Sequence, residues 1–175
     1  MSSEPCPGCG FDTDSVSSAD AATLIRRTVK ELTGLLTTSS AGQALPSPGN
    51  QAWNAVEYAG HVRDVLVIQR ERILRTLFEN EPTTTPMRQD DRVEIGEYRD
   101  WSIQDLAFEV KSAGRWLAQT VERFEGATWD RRIIYNYPSS ASRSLLWVTA
   151  HTIHEVVHHT QDIRDRLKPG AAGKD

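Results

Sequence analysis

Cysteine is nearly absent from this chain of 175 residues, which holds two, Cys6 and Cys9. Two cysteines cannot build the disulfide framework of a small secreted domain, and a chain of this length can bury one core without such staples. No apolar run approaches the roughly 18 residues that a membrane-spanning helix needs. A basic excess is missing too: Lys and Arg total 20 against 24 Asp and Glu, for a net charge of −4. That balance lacks the electrostatic footprint of a nucleic-acid binder. The opening MSSEPCPGCG has neither the charged nor the apolar region of a secretory signal, so a cytoplasmic protein is expected. Neither an internal repeat nor a long low-complexity segment is evident.

What remains is helical. Residues 1–17 are polar and rich in Ser, Pro and Gly, and read as a flexible leader carrying CPGC. From about Ala19 to Leu36, Leu24, Ile25, Val29, Leu32, Leu35 and Leu36 recur at helical spacing. TTSSAGQALPSPGNQ, 37–51, is loop chemistry. Asn54 with Glu57 three residues on forms a capping box, and apolar positions carry a second helix to about Asn80. A charged connection, 81–101, leads to Ser102, an N-cap with Asp105 at N3, and to a third helix ending near Phe124 before Gly126. The segment 127–142 is a second long connection with a short extended piece at Ile133 to Tyr137. The fourth helix runs from near Ser142 to about Leu167. Four helices without a clear strand pattern predict an all-α four-helix bundle over 18–168, followed by a disordered tail at 169–175. The two long connections predict crossovers.

Histidine is distributed unevenly. Four of the five lie in HTIHEVVHHT, 151–160, and the fifth is His61. With His154 as the zero of a helical wheel, Trp147 lies at about 20°, His158 at about 40° and His151 at about 60°. His159, at about 140°, is expected to face elsewhere. Leu146, Ala150, Ile153 and Val157 flank one side of this stripe, and Val148, Val156 and Ile163 the other. A helix apolar over most of its circumference is buried, where unpaired polar groups are costly. His61 shares a stripe with Val65 and Ile68. An i, i+4 histidine pair plus one imidazole from another helix makes three ligands with open coordination positions, the mark of a catalytic metal site.

HEVVH also matches the HExxH of zinc proteases, with Glu155 as the base for a zinc-bound water. The extended HExxHxxGxxH pattern fails, because position 161 is Gln and position 164 is Arg. Few residues follow His158 to supply a third ligand, and Glu155 lies about 100° from His154.

The combination of WNAVEYAGHVRDVL, LLWVTAHTIHEVVHHTQDIRD and the leader CPGCGFD resembles the DinB/YfiT-like superfamily of metal-dependent four-helix proteins, and within it an actinobacterial branch. The resemblance covers nearly the whole chain. It implies an up-down-down-up bundle and a metal held by His61, His154 and His158. Gln161 matches a family glutamine. Thr160, Glu155 and Val156 depart from the family's Gly, Asp and Pro at their positions. The divalent ion would be zinc, with nickel or iron as alternatives. The superfamily includes thiol-dependent S-transferases and a mycothiol-dependent isomerase. The resemblance therefore implies a small-molecule electrophile and a low-molecular-weight thiol, mycothiol, as substrates. Neither nucleic acid nor membrane is an expected partner; a homodimer is compatible with a bundle of this size.

Other residues have two readings each. Gln89 and Asp90 match a Gln-Asp pair in the relatives, and Asp90 is the candidate base, or a solvated loop carboxylate. Tyr58, Arg72, Trp147 and Gln161 are candidates to line a cosubstrate pocket, or ordinary core and surface residues. Asp64, one turn after His61, is a candidate to orient a ligand, or the structural partner of Arg63 or Arg26, the reading favoured here. Cys6 and Cys9 alone are half a zinc knuckle. Three functions remain open: a metal-dependent thiol S-transferase or isomerase, a non-catalytic binding protein with a structural metal, and a zinc protease.

Overall fold

The computed structural model describes residues 4–38, 53–137 and 139–167. Most of the expected loop at 37–51, and the whole expected tail at 169–175, lie outside the described residues. Five α-helices and one hairpin follow in chain order: α1, Ala21–Thr38; α2, Ala55–Phe78; α3, Gln89–Glu94; α4, Ile103–Val121; β1, Arg132–Asn136; β2, Ser140–Ser144; and α5, Leu145–Arg166. None of these helices is long and apolar enough to cross a membrane.

The caps start the helices where the sequence places them. Asn54 Oδ1 accepts from the Glu57 amide at 2.9 Å, and Glu57 accepts from the Asn54 amide at 2.7 Å, closing the capping box of α2. Ser102 caps α4 by accepting from the Asp105 amide. The long helices then bury one stripe each: Ile25, Val29, Leu32 and Leu36 from α1; Leu106, Val110, Leu117 and Val121 from α4. Both α1 and α2 pack against α4 and α5. Helices α1 and α2 thus occupy opposite corners of a four-helix bundle. This is the all-α bundle predicted from the helical patterning.

Three local differences have physical causes. The connection 81–101 contains α3, six residues with no buried position and hence no apolar stripe to announce it. The extended piece at 133–137 is one strand of a hairpin, β1 pairing antiparallel with β2. Strand β2 is SASRS, whose side chains carry no apolar alternation. It takes residues 142–144 from the expected start of the last helix, and Ser144 becomes the N-cap of α5. Helix α4 ends at Val121, and Gly126, at φ +46°, opens a 3-10 turn beyond it. Residues 82–84 extend the hairpin on the outer side of β1: the Thr84 amide donates to Ile134 O at 2.9 Å and the Ile134 amide to Pro82 O at 3.0 Å.

The segment around α3 is pinned to α2 by a buried carboxylate. Asp64, 2% exposed, accepts from Arg63 at 2.6 Å, from Arg92 at 2.6 Å and from the Tyr98 hydroxyl at 2.7 Å. Arg26, the other partner considered for Asp64, pairs with Glu122. One turn before Asp64, Gly60 lets the Tyr98 ring lie directly on the helix, since a Cβ there would sit 2.3 Å from Tyr98 Cδ1. Burial and the adjacent Asp64 carboxylate both hold the Tyr98 phenol well above its usual range, so it stays a donor. Removing the carboxylate takes away the ion-pair partner of Arg92, the closer of the two partners of Arg63 and the acceptor of Tyr98. Asp64→Ala is expected to cost about 3 kcal/mol in denaturant unfolding. Gly60→Ala is expected to lower the midpoint as well, by forcing Tyr98 off α2.

Candidate metal centre

Helix α5 carries an apolar face into the core, with Leu145, Val148, Ile153, Val156 and Ile163 buried. Its polar residues form one broad band. From His154 as zero, His158 falls at about 40°, His151 at about 60°, Asp162 at about 80°, Glu155 at about 100° and His159 at about 140°. The band's centre lies near Asp162 and Glu155, and α2 packs against this helix with His61 opposite.

Glu155 is the hub. Its Oε2 lies 3.6 Å from His61 Nε2 and 3.5 Å from His159 Nε2. Its Oε1 lies 3.8 Å from His151 Nε2 and 4.0 Å from His154 Nδ1. Behind the cluster, Asp162 accepts from His159 Nδ1 at 2.8 Å, which fixes the imidazole with Nε2 towards Glu155. Trp53 meets His61 edge-on at 5.1 Å, and Tyr58 lies 5.3 Å from the His159 ring.

Among the described residues, ligand atoms within 4.8 Å of one another form three groups: His61, Glu155 and His159; His151, His154 and Glu155; and Cys6, Cys9, His154 and His158. The expected trio of His61, His154 and His158 is divided between the first and third. His159, expected to face elsewhere, sits 4.9 Å from the His61 ring. Glu155, expected to point off the stripe, is at its centre. Both differences follow from taking His154 as the reference direction, when His154 marks one edge of the polar band. The protease arrangement also lapses, since it needs Glu155 free beside a His154–His158 metal, and His61 and His159 engage Glu155 instead.

The electrostatics fit a metal at the first group. Burial pushes the His61 imidazole below its usual value despite Glu155, so it is neutral and has a lone pair to offer. Burial alone would raise Glu155, but the facing His159 and His61 hold it well below the usual carboxylate range. His159 is depressed by burial and raised more strongly by Asp162 and Glu155, to about 9. A cation at this point therefore displaces a proton from His159. His61 turns its Nε2 to Glu155, while its Nδ1 is buried without a hydrogen-bond partner. Two imidazoles and a carboxylate, oriented by Asp162, are a donor set for a divalent ion with open positions.

The cluster lines a cavity of about 310 Å³ between α2, α5, β1 and the segment 84–90. Asp90 and Gln89 line it from α3, and Thr84 to Met87 from the strand edge. Arg72 lines it as well, but its guanidinium is committed to Tyr135 Oη at 3.1 Å, Gln69 Oε1 at 3.2 Å and the Thr85 carbonyl. Trp147 stands outside the lining and stacks on His151, with ring centroids 4.9 Å apart. Gln161 points to another face, where it bonds Asp165 and Arg164. Sequence reasoning passed over Gln69, Tyr135 and Trp53. Gln69 donates to Tyr135 Oη at 2.6 Å across the cavity wall, a partnership that spans a crossover and leaves no local spacing to detect.

Comparison with known proteins agrees with this architecture. No curated protein matches the chain. Among solved structures, YfiT from Bacillus subtilis, described as a probable metal-dependent hydrolase with an unusual four-helix bundle topology, superposes with a TM-score of 0.78 at 12% identity, covering 87% of this chain and 89% of that one. That likeness establishes the shared fold. The family model of the DinB superfamily matches residues 24–163, a span that takes in His61, the whole polar band of α5, all of α2 and α4 and most of α1 and α5. The chain belongs to the DinB superfamily.

Proposed function

We propose that this chain is a metal-dependent enzyme acting on a small molecule, with His61, Glu155 and His159 as the metal ligands. The observation that carries this reading is their convergence within 4.8 Å at the wall of an open cavity. Zinc suits two imidazoles and a carboxylate, and iron or nickel are the alternatives to compare. A divalent ion held there lowers the pKa of a bound thiol or water and supplies a nucleophile at neutral pH.

The protein's own groups do the rest. Asp162 keeps His159 in one tautomer and orientation. Trp53 packs on His61 and Tyr58 on His159, restraining the two imidazoles, and Trp53 also lines the cavity. Asp90, which lines the same cavity, is the candidate base for the proton that the nucleophile gives up. Arg72 and Gln69 fix Tyr135 as the third wall rather than meeting substrate directly.

The nucleophile we favour is a low-molecular-weight thiol, mycothiol by the resemblance of the leader and the two helical motifs, acting on an electrophilic small molecule in S-transfer or isomerisation. A hydrolytic reading, with water in the thiol's place, is favoured by the description of the YfiT structure as that of a probable hydrolase.

Turnover of small electrophiles by metal-loaded protein, with and without mycothiol, separates the two. Thiol-dependent consumption is expected, and hydrolysis without thiol would replace the first reading by the second. His61→Ala and Glu155→Gln should each abolish tight retention of the catalytic ion, and Asp162→Asn should weaken it roughly 10- to 100-fold. Asp90→Asn should lower kcat by roughly 100-fold with the metal content unchanged.

A further inference from the structure

The leader does not hang free of the bundle. Val16 is 6% exposed and joins the core, the turn Thr13–Ser15 packs on α5, and Phe11 stacks on His154 with centroids 6.0 Å apart. Ahead of it, the CPGC segment folds into a tight turn closed by the Gly10 amide on Cys6 O at 2.7 Å and the Cys6 amide on Phe11 O at 2.9 Å. The backbone amides of Gly8 and Cys9 point at Cys6 Sγ, and that of Phe11 at Cys9 Sγ. This turn presses against α5 so closely that a Cβ on Gly8 would lie 2.8 Å from His158 Cε1.

The result is a four-residue cluster. The ligand atoms of Cys6, Cys9, His154 and His158 all lie within 4.8 Å of one another, with Cys6 Sγ 3.5 Å from His158 Nδ1. The Nε2 of His154 is buried with no hydrogen-bond partner. We propose that Cys6, Cys9, His154 and His158 form a second, closed metal site that takes zinc in tetrahedral Cys2His2 coordination and staples the leader to α5. The pattern C-x2-C with H-x3-H is the spacing of structural zinc sites. Two thiolates and two imidazoles, with no carboxylate, select zinc over harder cations. Two amides aimed at Cys6 Sγ favour its thiolate, the form that binds metal.

The second site is distinct from the proposed catalytic one but touches it. His158 offers Nδ1 to the cysteines while its Nε2 lies 3.8 Å from Asp162, whose carboxylate also holds His159. His154 and His158 belong to the cavity lining as well, so the staple forms one wall of the catalytic pocket. The staple does not depend on the chain being an enzyme.

The test is metal stoichiometry and cobalt spectroscopy on the full chain purified under reducing conditions. Wild type is expected to hold about two zinc ions and, with Co²⁺, to show thiolate-to-cobalt charge transfer and tetrahedral d–d bands. The double variant Cys6→Ser, Cys9→Ser should lose one equivalent and those bands. His61→Ala should lose the other equivalent and keep them, so failure of this site and failure of the catalytic reading are told apart. Should the serine variant not fold, wild type alone decides: both thiols should react with a disulfide reagent in metal-free protein and be shielded by one equivalent of zinc. Cobalt protein without sulfur charge transfer, or thiols equally reactive with and without zinc, would overturn the proposal.

Discussion

The interaction on which the rest of this structure depends is a carboxylate surrounded by imidazoles. Glu155 is about one-fifth exposed at its side chain and stands within 4.0 Å of His61, His151, His154 and His159. A largely buried carboxylate is tolerable only when positive charge or donors converge on it. Here they come from one turn either side on its own helix and from α2 across the bundle. That requirement accounts for three of the four histidines on α5, His151, His154 and His159. It also explains why α2, which carries the fifth, packs against that helix.

The crossover topology serves this site. With α1 and α2 on opposite corners, α2 packs directly on α5 and brings His61 to Glu155. The connection after α2 then folds back over the cavity. It is held there by Asp64 with Arg92 and Tyr98, and by the pairing of residues 82–84 with β1. Asp90 enters the wall of the cavity through this connection. The apolar core holds the long helices together, while the polar contacts of α3 and the hairpin decide how open the pocket is.

The four long helices were legible from their apolar periods, and two of them also from a local start signal: Asn54 and Glu57 for α2, Ser102 and Asp105 for α4. The hairpin was half legible, since Ile133 and Tyr135 alternate inward whereas SASRS carries no pattern at all. The site was legible as a neighbourhood and not as a ligand set. His61 and the band on α5 stand out by composition alone. Dividing the band into ligands needs the direction from which α2 approaches, which no spacing within α5 contains. A wheel centred on His154 excludes Glu155 and His159, and one centred on Asp162 includes every member. The cysteines were harder still. CPGC is half a knuckle until the fold brings His158 to it from 152 residues away.

The claim on which this account rests is that His61, Glu155 and His159 share one ion. The direct measurement is an anomalous-difference map from a crystal of the metal-loaded protein, collected at the absorption edge of zinc. The account predicts a peak bonded to His61 Nε2, a Glu155 carboxylate oxygen and His159 Nε2, with coordination positions open to the cavity. A peak joining His61 to His154 and His158, with Glu155 and His159 unbound, would contradict it.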